Sequence, residues 1–331
     1  MDNLTHTAVG LFLSRAGLNR WTPRATPILL LAANAPDIDV AAAFGGSLNY
    51  LNYHRYWTHG LAALPVMALL PVLLVRAVSR KPVRLGRAFA ASLIAVATHL
   101  ALDWTNMYGI RLLAPFSGTW FQGDIFSVVD LWIWAVLLLA LAGPFLSRLV
   151  NAEIGASQRG RPHGRGWAWF AILFVLFFGV ARWYLHARAV AVLDSRIYEG
   201  GVPLRVAALP SAFSPVSWRG LVETDSSFSV HQVNLLDEFD PAAGTVFHKP
   251  DSGPALDAAR GTETFLDFLR FSQWPLFRVL PIADPEGGKR VEVLDLRFGT
   301  PVEPGFMASA ILDARLQVLQ SYLQFGRLRP R

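Results

Sequence analysis

The 331-residue chain contains no cysteine. That excludes a disulfide framework and any thiolate metal centre, so a bound metal would have to be held by imidazole and carboxylate. Charge is scarce as well. Asp, Glu, Lys and Arg make up 16% of the chain against 53% hydrophobic residues, and the mean hydropathy is +0.35, too apolar for an ordinary soluble enzyme. Acids are rarest at the front: residues 1–186 hold 15 Lys/Arg and 7 Asp/Glu, whereas residues 187–331 hold 15 and 17. The formal charge of +6 therefore belongs to the first part, where basic residues lie between apolar runs. This is the pattern of membrane topology rather than of nucleic-acid binding. The start, MDNLTHTAVG, lacks the basic region of a cleaved signal peptide, so the first helix is expected to be retained. There is no internal repeat and no low-complexity tract.

What is present is a series of apolar runs. Residues 4–18 read as a short apolar helix, and residues 27–44 as an apolar run broken by Asn34, Pro36, Asp37 and Asp39. Pro36 disfavours helix at Ala35, which puts both acids on irregular backbone; at membrane depth such backbone is tolerated only where it lines a polar cavity. Residues 60–78, 88–106, 128–146 and 167–186 read as spans, with an aromatic-rich loop at 45–58, a second loop at 107–127 and a basic, Gly-rich linker at 147–166. The expected fold is thus an α-helical integral membrane bundle over residues 1–186, of about five or six spanning helices. After residue 187 the pattern changes to short alternating stretches (VPLRVAAL, VSWRGLVE, FSVHQVNLL, VEVLDLRF, FMASAILD) with one helical stretch near 255–270. That predicts a small extramembrane α+β or β-rich domain over residues 187–331.

Basic clusters near Arg15–Arg24, Arg76–Arg87 and Arg148–Arg165 place those connections on the cytoplasmic side. Alternation then puts residues 45–59, residues 107–127 and the C-terminal domain outside. His6, Asp37, Asp39, His54, His59, His99, Asp103, Asp124 and Asp130 fall on the same outer side, although topology was assigned from Lys and Arg alone. Five of the seven acids in residues 1–186 belong to this set.

His99 and Asp103 are four apart in AVATHLALDWTNMYG, so they share one helix face. An imidazole and a carboxylate at the end of a membrane helix are costly unless they hold a proton or a cation; a hydrogen-bonded pair fixing helix packing is the plain alternative. Asp37 and Asp39, two apart in an apolar run, have no cheap structural role beyond helix capping. His54 and His59 in HRYWTH are wrongly spaced for one helix face. His6 suits either a ligand or an interfacial position, Asp124 a ligand or a solvated loop, and Asp130 a ligand or the cap of the span starting near Leu131. Arg55 could neutralise a phosphate oxygen or anchor lipid headgroups. His163, His186, His231 and His248 read as isolated structural or exposed histidines.

The motifs MDNLTHTAVG, AANAPDID, HRYWTH, ATHLALDWTNMYGIRLLAPFS and GDIFSVVD, in this order over about residues 1–145, resemble those of the YdjM-like family of bacterial inner-membrane metal-dependent hydrolases. The resemblance implies a membrane-embedded hydrolase with His6, Asp37, Asp39, His54, His59, His99 and Asp103 at motif positions and Asp124 and Asp130 in a looser segment. A fainter, fold-level analogy runs to zinc-dependent phospholipase C, an all-helical enzyme with His and Asp ligands.

The expectation is therefore a multi-pass inner-membrane hydrolase with its C-terminal domain periplasmic. Its nine His and Asp residues would hold divalent zinc, or manganese as the other candidate. Asp37 or Asp39 would orient or deprotonate a water and Arg55 would stabilise the developing anion. The expected partners are the lipid bilayer and an amphiphilic substrate carrying a phosphoester or other ester. A metal-handling or ion-coupled transporter is the alternative, because intramembrane His and Asp also line ion pathways.

Overall fold

The computed structural model describes residues 1–153 and 164–325. Arg159, Arg161 and His163 of the expected basic linker, and the last six residues, lie outside the described residues. The chain divides into two compact units. The first comprises residues 1–39, 55–186 and 210–215; the second comprises residues 40–54, 187–209 and 216–331.

The first unit is helical. It contains α1 (Asn3–Ala16), α2 (Ala25–Ala32), α4 (Leu64–Val78), α5 (Leu85–Trp104), α6 (Leu131–Glu153) and most of α7 (Arg165–Asp194); α3 (Ser47–Tyr53) belongs to the second unit. Three helices among the described residues, α5, α6 and α7, are long and apolar enough to cross a membrane. The number reaches five if two bent pairs each count as one span: α2 with the following 3₁₀ segment Pro36–Gly45, bent by 48°, and Ser47–His59 with α4, bent by 85°. The sequence-based figure of five or six is therefore too high at its upper end. The reason is α1, whose 14 residues span about 21 Å at 1.5 Å per residue, short of a ~30 Å hydrocarbon core.

α5 carries the packing logic of this unit. Its buried residues, Ala88, Ala91, Ser92, Ala95, Val96, His99 and Asp103 among them, recur every three or four positions on one face. The small members let α2 and α4 approach closely, and Ser92 Oγ donates to the Ala68 carbonyl of α4 at 2.6 Å. His99 and Asp103 are the C-terminal continuation of that stripe, so the packing that joins the helices also aims both side chains inward. Gly10 plays the same part between α1 and α2: a Cβ there would stand 2.8 Å from Ala33 Cβ and 2.9 Å from the Leu29 carbonyl oxygen.

Two expected boundaries moved. The 147–166 linker begins as helix, because α6 continues to Glu153, and α7 runs on past residue 186 to Asp194. The expected loop at 45–58 contains α3 and leads to a 3₁₀ turn at Trp57–His59.

The second unit holds two four-stranded sheets, each in sequential order. One is formed by β1 (Arg205–Pro210, its last residue counted with the first unit), β2 (Ser217–Glu223), β3 (Ser227–Asn234) and β4 (Thr245–His248). The other is formed by β5 (Pro275–Pro281), β6 (Lys289–Asp295), β7 (Phe306–Leu312) and β8 (Val318–Phe325). Pairing is antiparallel through β2–β4 and β5–β8. Five strands coincide with the alternating stretches; β4, β5 and β8 were not singled out. The expected helical stretch is two helices, α8 (Pro254–Arg260) and α9 (Glu263–Phe271). Phe265, Phe268 and Phe271 of α9 are fully buried, an i, i+3, i+6 face laid on the second sheet.

Candidate metal centre

Asp37, His59, His99 and Asp103 converge. Each offers one ligand atom, and the four atoms lie within 4.8 Å of one another. The elements that bring them together are the 3₁₀ segment after α2, the 3₁₀ turn at Trp57–His59, and the C-terminal end of α5. His59 Nε2 and His99 Nε2 are 3.2 Å apart. Asp103 Oδ2 is 3.3 Å from His59 Nε2 and 3.5 Å from His99 Nε2, and Asp37 Oδ1 is 3.6 Å from each of those nitrogens. His59, His99 and Asp103 are all but inaccessible to solvent.

The outward-facing ring nitrogens fix the tautomers. His99 Nδ1 lies 2.7 Å from the Ala33 carbonyl oxygen, which only accepts, so the ring donates there and Nε2 keeps its lone pair. His59 Nδ1 lies 3.1 Å from Asp39 Oδ2, which gives the same result. This is the carboxylate–histidine or carbonyl–histidine arrangement that orients metal-binding imidazoles. Asp103 is likewise used from both sides. Its Oδ1 meets the Met1 α-amino group, His6 Nε2 at 3.2 Å and Arg55 Nη2 at 3.2 Å, while Oδ2 accepts no hydrogen bond among the described residues. Asp37 Oδ2 is also without one.

Two imidazole lone pairs and two carboxylates aimed at one buried point repel one another unless a cation lies between them. The residues fit a divalent ion by that chemistry, and also by spacing: five of the six pairs fall close to the ~3.3 Å edge of a tetrahedron with ~2.05 Å bonds.

The other expected site residues take different places. Asp39 stands behind His59; its Oδ2 accepts from the Arg55 N–H at 2.8 Å, the Thr58 hydroxyl at 2.6 Å and His59 Nδ1. His6 stacks on His99, ring centroids 3.8 Å apart, and reaches Asp103 rather than the four-atom group. Arg55, in the left-handed backbone region at φ 59°, also donates to Asn106 Oδ1 and the Gly109 carbonyl, each at 3.2 Å. His54 caps the end of α3 and stacks on Tyr50 at 4.6 Å; it is not one of the four. Asp124 is buried at φ 51°, its Oδ2 3.5 Å from Gln122 Nε2. Asp130 caps α6, its Oδ1 accepting from the N–H groups of Trp132 and Ile133 at 3.1 and 3.2 Å. Burial pushes the Asp130 carboxyl above the usual range, against the pull of those N–H groups and Arg182. Neither Asp124 nor Asp130 joins the group.

Sequence reasoning missed three supporting groups. The Ala33 carbonyl leaves no trace in a sequence. Thr58 and Asn106 lay inside the quoted motifs but are ordinary residue types there. A fourth, Arg182, is fully buried within α7 and donates to the Ile125 carbonyl at 2.9 Å and the Ser214 carbonyl at 3.3 Å; it fixes loops rather than the site.

A family model described as YdjM inner membrane protein matches residues 1–189. Uncharacterized protein YfhP of Bacillus subtilis (strain 168) is 24% identical over 338 residues, covering 97% of this chain and 94% of that protein. No solved structure matches the chain.

Proposed function

The chain belongs to the YdjM inner membrane protein family, and from that premise we propose that it is a membrane-bound, metal-dependent hydrolase. Its substrate is an amphiphile carrying a phosphoester or another ester, met at the outer face of the inner membrane. The observation that carries this reading is the buried convergence of Asp37, His59, His99 and Asp103, with both imidazole lone pairs turned inward by Asp39 and the Ala33 carbonyl.

Asp37, His59, His99 and Asp103 would hold a divalent cation, zinc or manganese, which when bound would supply Lewis-acid activation of a water; Asp39 keeps the His59 ring in register. Asp37 Oδ2, which accepts no hydrogen bond among the described residues, is the atom suited to take a proton from the attacking water. Arg55 sets a guanidinium against Asp103 Oδ1, where it would orient that ligand and offset part of the negative charge that builds up at the site. The positive-inside reading supports an outward-facing site and a periplasmic C-terminal domain.

The test is elemental analysis of the purified full-length protein in detergent, followed by a phosphodiester and phospholipid hydrolysis screen with and without chelator. Stoichiometric zinc or manganese, with hydrolysis lost on chelation and restored on adding the metal back, is the expected result. A metal-free protein that takes up neither ion overturns the proposal.

A further inference from the structure

The chain leaves the first unit after Asp39 and re-enters it at Arg55; residues 40–54 between them belong to the second unit. The segment is a closed loop, because the Arg55 N–H donates to Asp39 Oδ2 at 2.8 Å and pinches its base. It begins as the end of a 3₁₀ segment, turns at Gly46 with φ 98°, and forms α3. α3 packs on α9 and β8. Leu51 is fully buried, and the Tyr50 ring meets Phe325 edge-on at 6.1 Å. Asn52 Nδ2 donates to Asp267 Oδ2 at 2.7 Å, and Asp267, itself buried, is braced by Arg270 Nη1 at 2.9 Å.

The geometry points to Asn52 and Asp267 as positioning residues for the metal centre: they anchor the loop whose two ends carry the site. This rests on the metal-centre reading above. Every link is short. Asp267 holds Asn52; three residues on, Arg55 closes the loop onto Asp39; the same Asp39 oxygen receives His59 Nδ1; and Asp37, two residues before Asp39, is in the four-atom group. The Asn52–Asp267 hydrogen bond is charge-assisted and part-buried, so its loss should register at the other end of the loop.

Two readouts on the full-length protein in detergent test this. The first is hydrogen–deuterium exchange at residues 55–59; the second is Zn²⁺ affinity and the absorption spectrum of the Co²⁺-loaded protein. Asp267→Ala and Asn52→Ala should speed exchange at 55–59 and weaken Zn²⁺ binding about tenfold, the lower end of what outer-shell partners cost. They should also alter the Co²⁺ bands, which a purely structural loss of stability would leave alone. The exchanged pair Asn52→Asp with Asp267→Asn restores a donor and an acceptor and should recover both readouts. Ser229→Ala on β3 serves as a control for general loosening and should change neither. If either alanine variant proves too unstable to purify, the other and the exchanged pair decide. Exchange and Co²⁺ spectra identical to the parent's in Asp267→Ala overturn the inference. A parent protein that takes up no metal overturns the metal-centre reading instead, while the exchange measurement still decides whether the loop is held by Asp267.

Discussion

His59 Nε2 and His99 Nε2 face each other across 3.2 Å, while the Nδ1 of each ring meets an acceptor on its far side, Asp39 Oδ2 and the Ala33 carbonyl oxygen. Two ring nitrogens turned on each other in this way, with the Asp37 and Asp103 carboxylates beside them, make a donor set for a cation. The arrangement is one that a cation relieves, and the repulsion is the physical reason to test for a metal first.

Removing a ligand should remove the metal and little else. Asp103→Asn and His99→Gln preserve shape and should lose stoichiometric metal, measured by mass spectrometry of the purified protein, while helical content and membrane insertion persist. At position 103 the amide keeps an oxygen for Arg55 but not the charge, so Asp103→Asn also leaves Arg55 without its buried carboxylate, a loss of about 3–5 kcal/mol; His99→Gln leaves that pair intact and separates loss of metal from unfolding. Retained metal in both variants would remove them as ligands.

Asp39→Asn should weaken metal binding by about 10- to 100-fold without abolishing it. The amide oxygen can still receive the Arg55 N–H and the Thr58 hydroxyl, but it sets the His59 ring less firmly and makes it less basic. A competition titration with a chromophoric chelator gives the number. An unchanged affinity would show that Asp39 serves the loop alone.

Asp130→Ala should cost about 1 kcal/mol of stability, the usual price of an N-cap, with metal content untouched. Thermal melting and elemental analysis of one preparation distinguish this from a ligand role, in which metal would fall.

His231 should make the C-terminal domain acid-sensitive. Its Nε2 lies 2.7 Å from Ser229 Oγ, and its ring packs on Tyr198 and Phe239; burial lowers its pKa below the ordinary imidazole value of about 6.5. The unfolded chain therefore takes up a proton near pH 6.5 that the folded domain refuses until lower pH. Stability is full above that value, falls by at most about 1.4 kcal/mol per pH unit as pH drops toward the folded pKa, and levels off below it. Melting curves at pH 7.5, 6 and 5 should show a step that His231→Gln diminishes. Equal steps in both proteins would assign the acid sensitivity to carboxylates.

Much of this was legible in the chain. The apolar runs marked α5, α6 and α7 because a span must bury its backbone within itself. The i, i+4 spacing put His99 and Asp103 on one face whatever α5 packs against. Alternation marked five of the eight strands among the described residues. The weaker strands were missed for a physical reason: β4 is only four residues long, and β8 is half-exposed with polar residues at several positions, so neither carries a clear two-residue period.

His54, Asp124 and Asp130 carry the same chemistry as His59, Asp37 and Asp103, and sequence alone could not rank them. Asp130 is claimed by N–H groups two and three residues along its own chain, and His54 by Tyr50 on its own helix. Asp37, His59 and His99 instead meet one another across 22 to 62 positions of chain.

By itself the sequence determined the residue types available for a metal, the helices that carry two of them and the change to a strand-rich domain. All of these follow from local periodicity and from the absence of cysteine. Only the tertiary structure decided which four side chains meet, because that depends on how closely α1, α2, α4 and α5 can approach across Gly10 and the small residues of α5. It also decided that residues 40–54 join the second unit, since the surface they cover is built from chain more than 200 residues further on.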